Sequence, residues 1–194
     1  MNEKSLPVNS AGRHPQSIIL FLLVTFSVLG VDLLTKSMAF EHVAGRPVKL
    51  SRNTTGDPVL IPYHKPIDLI PGVLSLRLTT NTGAVFGLGK GAQSLFVIAS
   101  LVAVGVIGRV FWTSSARAWC LHVALGLVLA GALGNLHDRI RFNAVRDLLW
   151  LFPETGLWPW IFNVADAVLL VGVATMILVM WWSDRKRPAE PEDS

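Results

Sequence analysis

Apolar and polar positions divide this chain on a coarse scale. Four stretches carry few charges: about Ile18 to Phe40, Ala92 to Trp112, Ala118 to Leu136 and Ile161 to Trp182. Each approaches or exceeds the ~20 residues needed to cross the hydrocarbon core of a bilayer. The first is too long for a signal-peptide core and has no small-residue cleavage pattern after it, so it reads as a retained helix. The period changes in residues 41–90. Pro47, Pro58, Pro62, Pro66 and Pro71 argue against a long helix there. Leu74, Leu76 and Leu78 alternate with Ser75, Arg77 and Thr79, a period of two that marks a half-buried strand. The pattern predicts four transmembrane helices and a small sheet on the outer face, with residues 139–160 as a second outer segment. Residues 1–17 and 183–194 are polar tails on the other side, and residues 18–182 form a single membrane unit that includes 41–90.

Composition agrees with this division. The 194 residues are 52% hydrophobic and only 15% charged, against about 25% charged in ordinary soluble domains. The net charge of +4 comes from scattered Lys and Arg, without the dense basic stripe of a nucleic-acid binder. The single cysteine, Cys120, excludes an intrachain disulfide.

Tryptophan and charge placement orient the spans. Trp112, Trp119, Trp181 and Trp182 sit at segment ends on one predicted side; Trp150, Trp158 and Trp160 sit on the other. Indole rings prefer the headgroup level, so this reads as two aromatic belts. Four spans put both termini on one side. The Arg185-Lys186-Arg187 cluster beside the last helix favours the cytoplasm for that side.

Polar groups inside such segments are costly, by roughly 2.5–3.5 kcal/mol for a central charge, and therefore call for a reason. Asp32 and Lys36 share a helix face at i, i+4. Asn135, Asp138 and Arg139 close the third segment on one face, and Asn163 and Asp166 open the fourth at i, i+3. Asp147 lies in the connection between them. All map to the outer end of the bundle. A structural reading exists for each alone: Asp32–Lys36 as an ion pair, Asp138 and Arg139 as snorkelling interface charges. Their convergence at one depth points instead to a functional site.

The residue types narrow the chemistry. No serine has a lysine or histidine base in an obvious position. His137 adjoins Asp138 without a second histidine nearby, whereas zinc takes three or four protein ligands, so no metal or other cofactor is expected. Paired carboxylates remain. Two carboxyls sharing a site do not both ionise easily; the ionised one can take a proton from water and the protonated one can donate to a carbonyl. A proton-coupled channel or transporter is a rival, but it would distribute acids through the bilayer depth, and the inner halves of the four segments lack them. A non-enzymatic scaffold gives no reason for the convergence.

Five ordered motifs carry a family resemblance. Asp32-Leu33-Leu34-Thr35-Lys36 resembles the D-x-x-T-K signature of lipoprotein signal peptidases (signal peptidase II), and Asn81-Thr82-Gly83-Ala84-Val85-Phe86-Gly87 resembles their N-x-G-A-x-F-[GS] segment. Gly134-Asn135-Leu136-His137-Asp138-Arg139 resembles G-N-x-x-D-R, Val145-Arg146-Asp147-Leu148-Leu149 resembles V-V-D-F-I, and Phe162-Asn163-Val164-Ala165-Asp166-Ala167 resembles F-N-x-A-D-[SA]. The resemblance implies an all-α membrane protein of four transmembrane helices with a small outer β-cradle. It implies a multi-pass aspartic endopeptidase of the bacterial inner membrane, with its active site near the outer, periplasmic face. Its substrates would be lipid-modified prolipoproteins, cut on the amino side of the diacylglyceryl-cysteine among membrane lipids, with globomycin-type inhibition. Asp147 and Asp166 match the catalytic aspartates. Asp32, Asn81, Gly83, Asn135, Asp138, Arg139 and Asn163 match supporting or substrate-binding positions. One residue departs: the position before the first catalytic aspartate is usually apolar, and here it is Arg146. Strand alternation places it opposite Asp147, so Arg146 is expected to face water or headgroups.

Overall fold

The computed structural model describes residues 10–50, 61–83, 93–153 and 155–185. Both expected tails lie partly outside that set, as do Pro58 and the stretch Ala84 to Gly87 of the second motif. Four long helices follow the four apolar stretches: α1 (Pro15–His42), α2 (Gln93–Thr113), α3 (Trp119–Phe142) and α4 (Val164–Arg185). All four are long and apolar enough to cross a membrane. On α1 the side chains of Ile19, Leu23, Phe26, Leu34 and Met38 are each about 60% exposed, as expected of a face turned to hydrocarbon rather than to protein.

Helix α3 is the hub. It packs on α1, α2 and α4 and is more than half buried, while the other three are largely exposed. Small residues make this possible. A Cβ on Gly131 would lie 2.5 Å from the Ala165 carbonyl oxygen of α4, and one on Gly126 would press on Val24 of α1. Small residues let apolar helices approach closely where lipid offers no hydrophobic drive for association. At one end, Phe21, Phe111 and Leu125 form a buried cluster with Ala11. There Ser10 bridges to Ser115, and the Ala11 N–H donates to the Ser114 carbonyl at 2.8 Å. The chain is thus packed from Ser10 onward, ahead of the first helix.

The opposite end carries an antiparallel sheet in the order β1-β2-β3-β4: β1 (Ile67–Ile70), β2 (Leu74–Asn81), β3 (Val145–Leu151) and β4 (Ile161–Phe162). The alternating leucines lie in β2 as expected. Leu78 joins Leu148 of β3 and Phe40 of α1 in a second buried cluster. The sheet therefore joins the two segments expected outside the membrane. Thr79 pairs with Asp147 and Asn81 with Val145 in the β2–β3 ladder.

Candidate active site

Local sequence sets each polar side chain. Helix α3 ends on Asn143, in the left-handed conformation at φ 58°, with its N–H returned to the Arg139 carbonyl. Asparagine tolerates that conformation, which closes many helices. The reversal leads straight into β3 and Asp147. Helix α4 starts with a reciprocal cap. The Asp166 N–H donates to Asn163 Oδ1 at 3.0 Å, and the Asn163 N–H donates to Asp166 Oδ2 at 3.3 Å. A side chain at the helix start and another three residues on thus satisfy two backbone donors that the first turn leaves open. The Ala165 N–H is met by Asp32 Oδ1 at 2.8 Å. Two carboxylates therefore sit at the positive end of the α4 dipole, where negative charge is stabilised.

The two amides tie the aspartates together. Asn163 Nδ2 donates to Asp147 Oδ1 at 2.6 Å and to Asn135 Oδ1 at 3.3 Å. Asn135 Nδ2 donates to Asp166 Oδ1 at 2.8 Å. Asn81 adds a side-chain hydrogen bond to Asp147, and its own Oδ1 accepts the Gly83 N–H at 2.9 Å. The Gly83 carbonyl accepts from Arg139 Nη2 at 3.2 Å, and the Arg139 charge is felt by both Asp147 and Asp166. Asp147 is 2% exposed. Burial, then the neighbouring Asp166 carboxylate, pushes its pKa up to about 8 against the pull of the Asn163 and Asn81 hydrogen bonds and the Lys36 charge. The site thus holds an acid, Asp147, that can stay protonated near neutral pH.

Behind the amides lies a buried charge cluster. Lys36, fully buried, is 2.8 Å from Asp32 Oδ2 and 3.6 Å from Asp138 Oδ2, and donates to Asn135 Oδ1 at 3.2 Å. Asp32–Lys36 is therefore an ion pair, and it reaches into the site as well. The sequence places Lys36 in the converging polar set, as the partner of Asp32 and the last residue of the D-x-x-T-K motif, without giving it a role at the site.

The expectation for Arg146 is corrected. Its side chain is buried, at 6% exposed, rather than turned to the surface. Phe142, the last residue of α3, and Phe40, near the end of α1, cover it, with ring centres 4.7 and 6.0 Å from the guanidinium carbon. Asp138 receives it, with Nη2 at 2.8 Å from Oδ1 and Nε at 3.1 Å from Oδ2. All nine side chains and backbone groups singled out from the sequence, from Asp32 to Asp166, are linked in this one network. Among the described residues, no group of three or more His, Cys, Asp or Glu is placed to hold a metal ion.

The chain is similar in sequence and fold to known proteins. The family model described as Signal peptidase (SPase) II matches residues 24–182. The lipoprotein signal peptidase of Sulfurihydrogenibium sp. (strain YO3AOP1) is 31% identical over 178 residues, spanning 88% of this chain and 97% of that one. That of Symbiobacterium thermophilum is 39% identical over 126 residues, 65% of this chain and 82% of the relative. A bacterial membrane enzyme solved by the in meso method at 2.3 Å resolution superposes with a TM-score of 0.69 at 25% identity, covering 89% of this chain and 94% of that one. The family match covers residues 24–182, a range that reaches all four spans, and the chain accordingly belongs to the signal peptidase II family of membrane proteases.

Proposed function

We propose that the protein is an aspartic endopeptidase that removes signal peptides from lipid-modified bacterial prolipoproteins, with Asp147 and Asp166 as the catalytic pair. The observation that carries this is the amide bridge: Asn163 donates to Asp147 and to Asn135, which donates to Asp166. Two carboxyls held this way can share one proton. The ionised member takes a proton from the attacking water; the protonated member donates to the scissile carbonyl. Asn135 and Asn163 orient the pair. Arg139, fixed on Gly83, offers positive charge to the oxyanion as it forms. Asp32 and Asp138 hold Lys36 and the start of α4 in place.

The site sits at the sheet end of the helices. We place that end at the outer face of the inner membrane, which lets water reach the pair while the acyl chains of the substrate stay in hydrocarbon between helices. Cleavage falls on the amino side of the diacylglyceryl-cysteine, and globomycin-type inhibitors occupy the same site. The test is incubation of the purified protein with a lipid-modified precursor and mass measurement of the products. Cleavage at another bond, or of the unlipidated precursor equally well, would overturn the substrate assignment.

A further inference from the structure

The structure buries Arg146, which strand alternation and the family motif did not predict. Three donors of this one residue converge on Asp138: the backbone N–H at 3.0 Å, Nε at 3.1 Å and Nη2 at 2.8 Å. Both carboxylate oxygens are engaged. Asp138 also faces Lys36 of α1 at 3.6 Å and His137 of its own helix at 3.2 Å. Lys36 in turn has three claimants, Asp32 at 2.8 Å, Asn135 at 3.2 Å and Asp138. The Lys36 bond to Asn135 matters to the site, because the same amide holds Asp166.

Arg139 acts on Asp166, Asp147 and Asp138 and offsets the single charge of a pair that shares one proton, which leaves Arg146 to offset Asp138. Asp32, Lys36, Asp138 and Arg146 are all buried and sum to zero. Without the guanidinium, one excess negative charge would lie beneath Asp147 and Asp166, and Asp138 would compete for the Lys36 ammonium. A buried carboxylate left unpaired is strongly unfavourable and takes whatever cation it can reach.

We propose that Arg146 is a positioning residue of this protease: by holding and neutralising Asp138 from strand β3, it leaves Lys36 to fix the Asn135 amide beneath the aspartate pair. The inference rests on the reading of Asp147 and Asp166 as the catalytic pair. A merely structural ion pair between β3 and α3 would contribute to stability and leave the pH dependence of catalysis in place.

Charge-compensating variants separate the two. Arg146→Met, Arg146→Lys, Asp138→Asn and the double variant Arg146→Met/Asp138→Asn are compared in detergent by melting temperature and by pH–rate profile on a lipid-modified precursor. Removing the cation opposes further ionisation of the pair, so Arg146→Met moves the profile to higher pH, by roughly half a unit or more, with kcat reduced and KM little changed. Asp138→Asn leaves an uncompensated cation and moves the profile to lower pH. The double variant is again neutral and returns toward the wild-type position; Arg146→Lys keeps that position with a smaller loss of rate. If Arg146→Met does not fold, the comparison of Asp138→Asn with the double variant decides: the first lies at lower pH than the wild type and the second returns toward it. Profiles of all folded variants that coincide with the wild type overturn the inference. A wild type without a bell-shaped profile, or an active Asp147→Asn, overturns the catalytic pair itself.

Discussion

Gly134 makes room for Asp32. A Cβ on Gly134 would run into the Asp32 carboxylate oxygen and lie 3.3 Å from the Ala165 Cβ. The Asp32 carboxylate fits between α3 and α4 only because this residue of the G-N-x-x-D-R motif has no side chain.

Gly134→Ala should therefore displace Asp32 from Lys36 and from the Ala165 N–H. Overpacking of this kind costs about 1–3 kcal/mol, and cleavage should fall by an order of magnitude or more. Gly108→Ala is the control, because nothing lies within 4 Å of a Cβ there and alanine favours a helix. Thermal melts and cleavage rates in detergent read both; equal effects of the two substitutions would refute the packing argument.

Asp147→Asn and Asp166→Asn should each abolish cleavage with the protein still folded, since each removes a required proton donor or acceptor. Asn163→Ala should lower activity without abolishing it, and should also lower stability by about 1 kcal/mol, the usual loss for a helix cap. Parallel mass measurement of products and melting curves separates the two kinds of residue. Activity of either aspartate variant near wild type would end the assignment.

Much of this was legible in the sequence, and the exceptions have physical causes. The four helices follow from apolar runs alone, because a span must satisfy its own backbone. Their ends did not. Helix α1 begins at Pro15 because proline suits the first helical position, where no N–H is needed. Helix α4 begins at Val164 because the Asn163–Asp166 cap starts it, and Ile161 and Phe162 go instead to β4. Strand β1 shows no alternation, since all four residues are exposed at the sheet edge. The convergence of the polar residues followed from their shared depth. The burial of Arg146 could not be read locally: alternation suggested an outward side chain, but Phe40, which helps to cover it, comes from a helix about a hundred residues away.

Topology gives a third expectation. Tyr63, on the sheet side, is 93% exposed, and Arg117 is exposed in the turn between α2 and α3 at the opposite end. With Cys120 replaced by alanine, Tyr63→Cys should react with a membrane-impermeant maleimide in spheroplasts, and Arg117→Cys only after lysis. The reverse result would put the site on the cytoplasmic side, and labelling of both before lysis would refute the arrangement of spans.

The pH dependence follows from the state of Asp147. If one proton is shared by the pair, activity should follow a bell-shaped curve, falling at low pH when both carboxyls are protonated and at high pH when both are ionised. The upper limb should lie toward pH 8, well above an ordinary carboxylate, since burial and Asp166 hold the Asp147 carboxyl there. Stability should respond with a definite sign. The unfolded chain releases the Asp147 proton near 3.8 and the folded protein near 8. Between those values the folded state binds more protons, so this group's contribution is fully present below about pH 3.8 and is lost progressively as pH rises through 8. Asp147→Asn removes the titration, and its melting temperature should fall less than that of the wild type between pH 6 and pH 9. The measurements are a pH–rate profile and paired melting curves in one detergent, with the profile repeated after exhaustive chelation. A carboxylate pair needs no metal, so chelation should leave the curve unchanged; activity lost to the chelator and restored by zinc would replace the aspartic mechanism with a metal-dependent one.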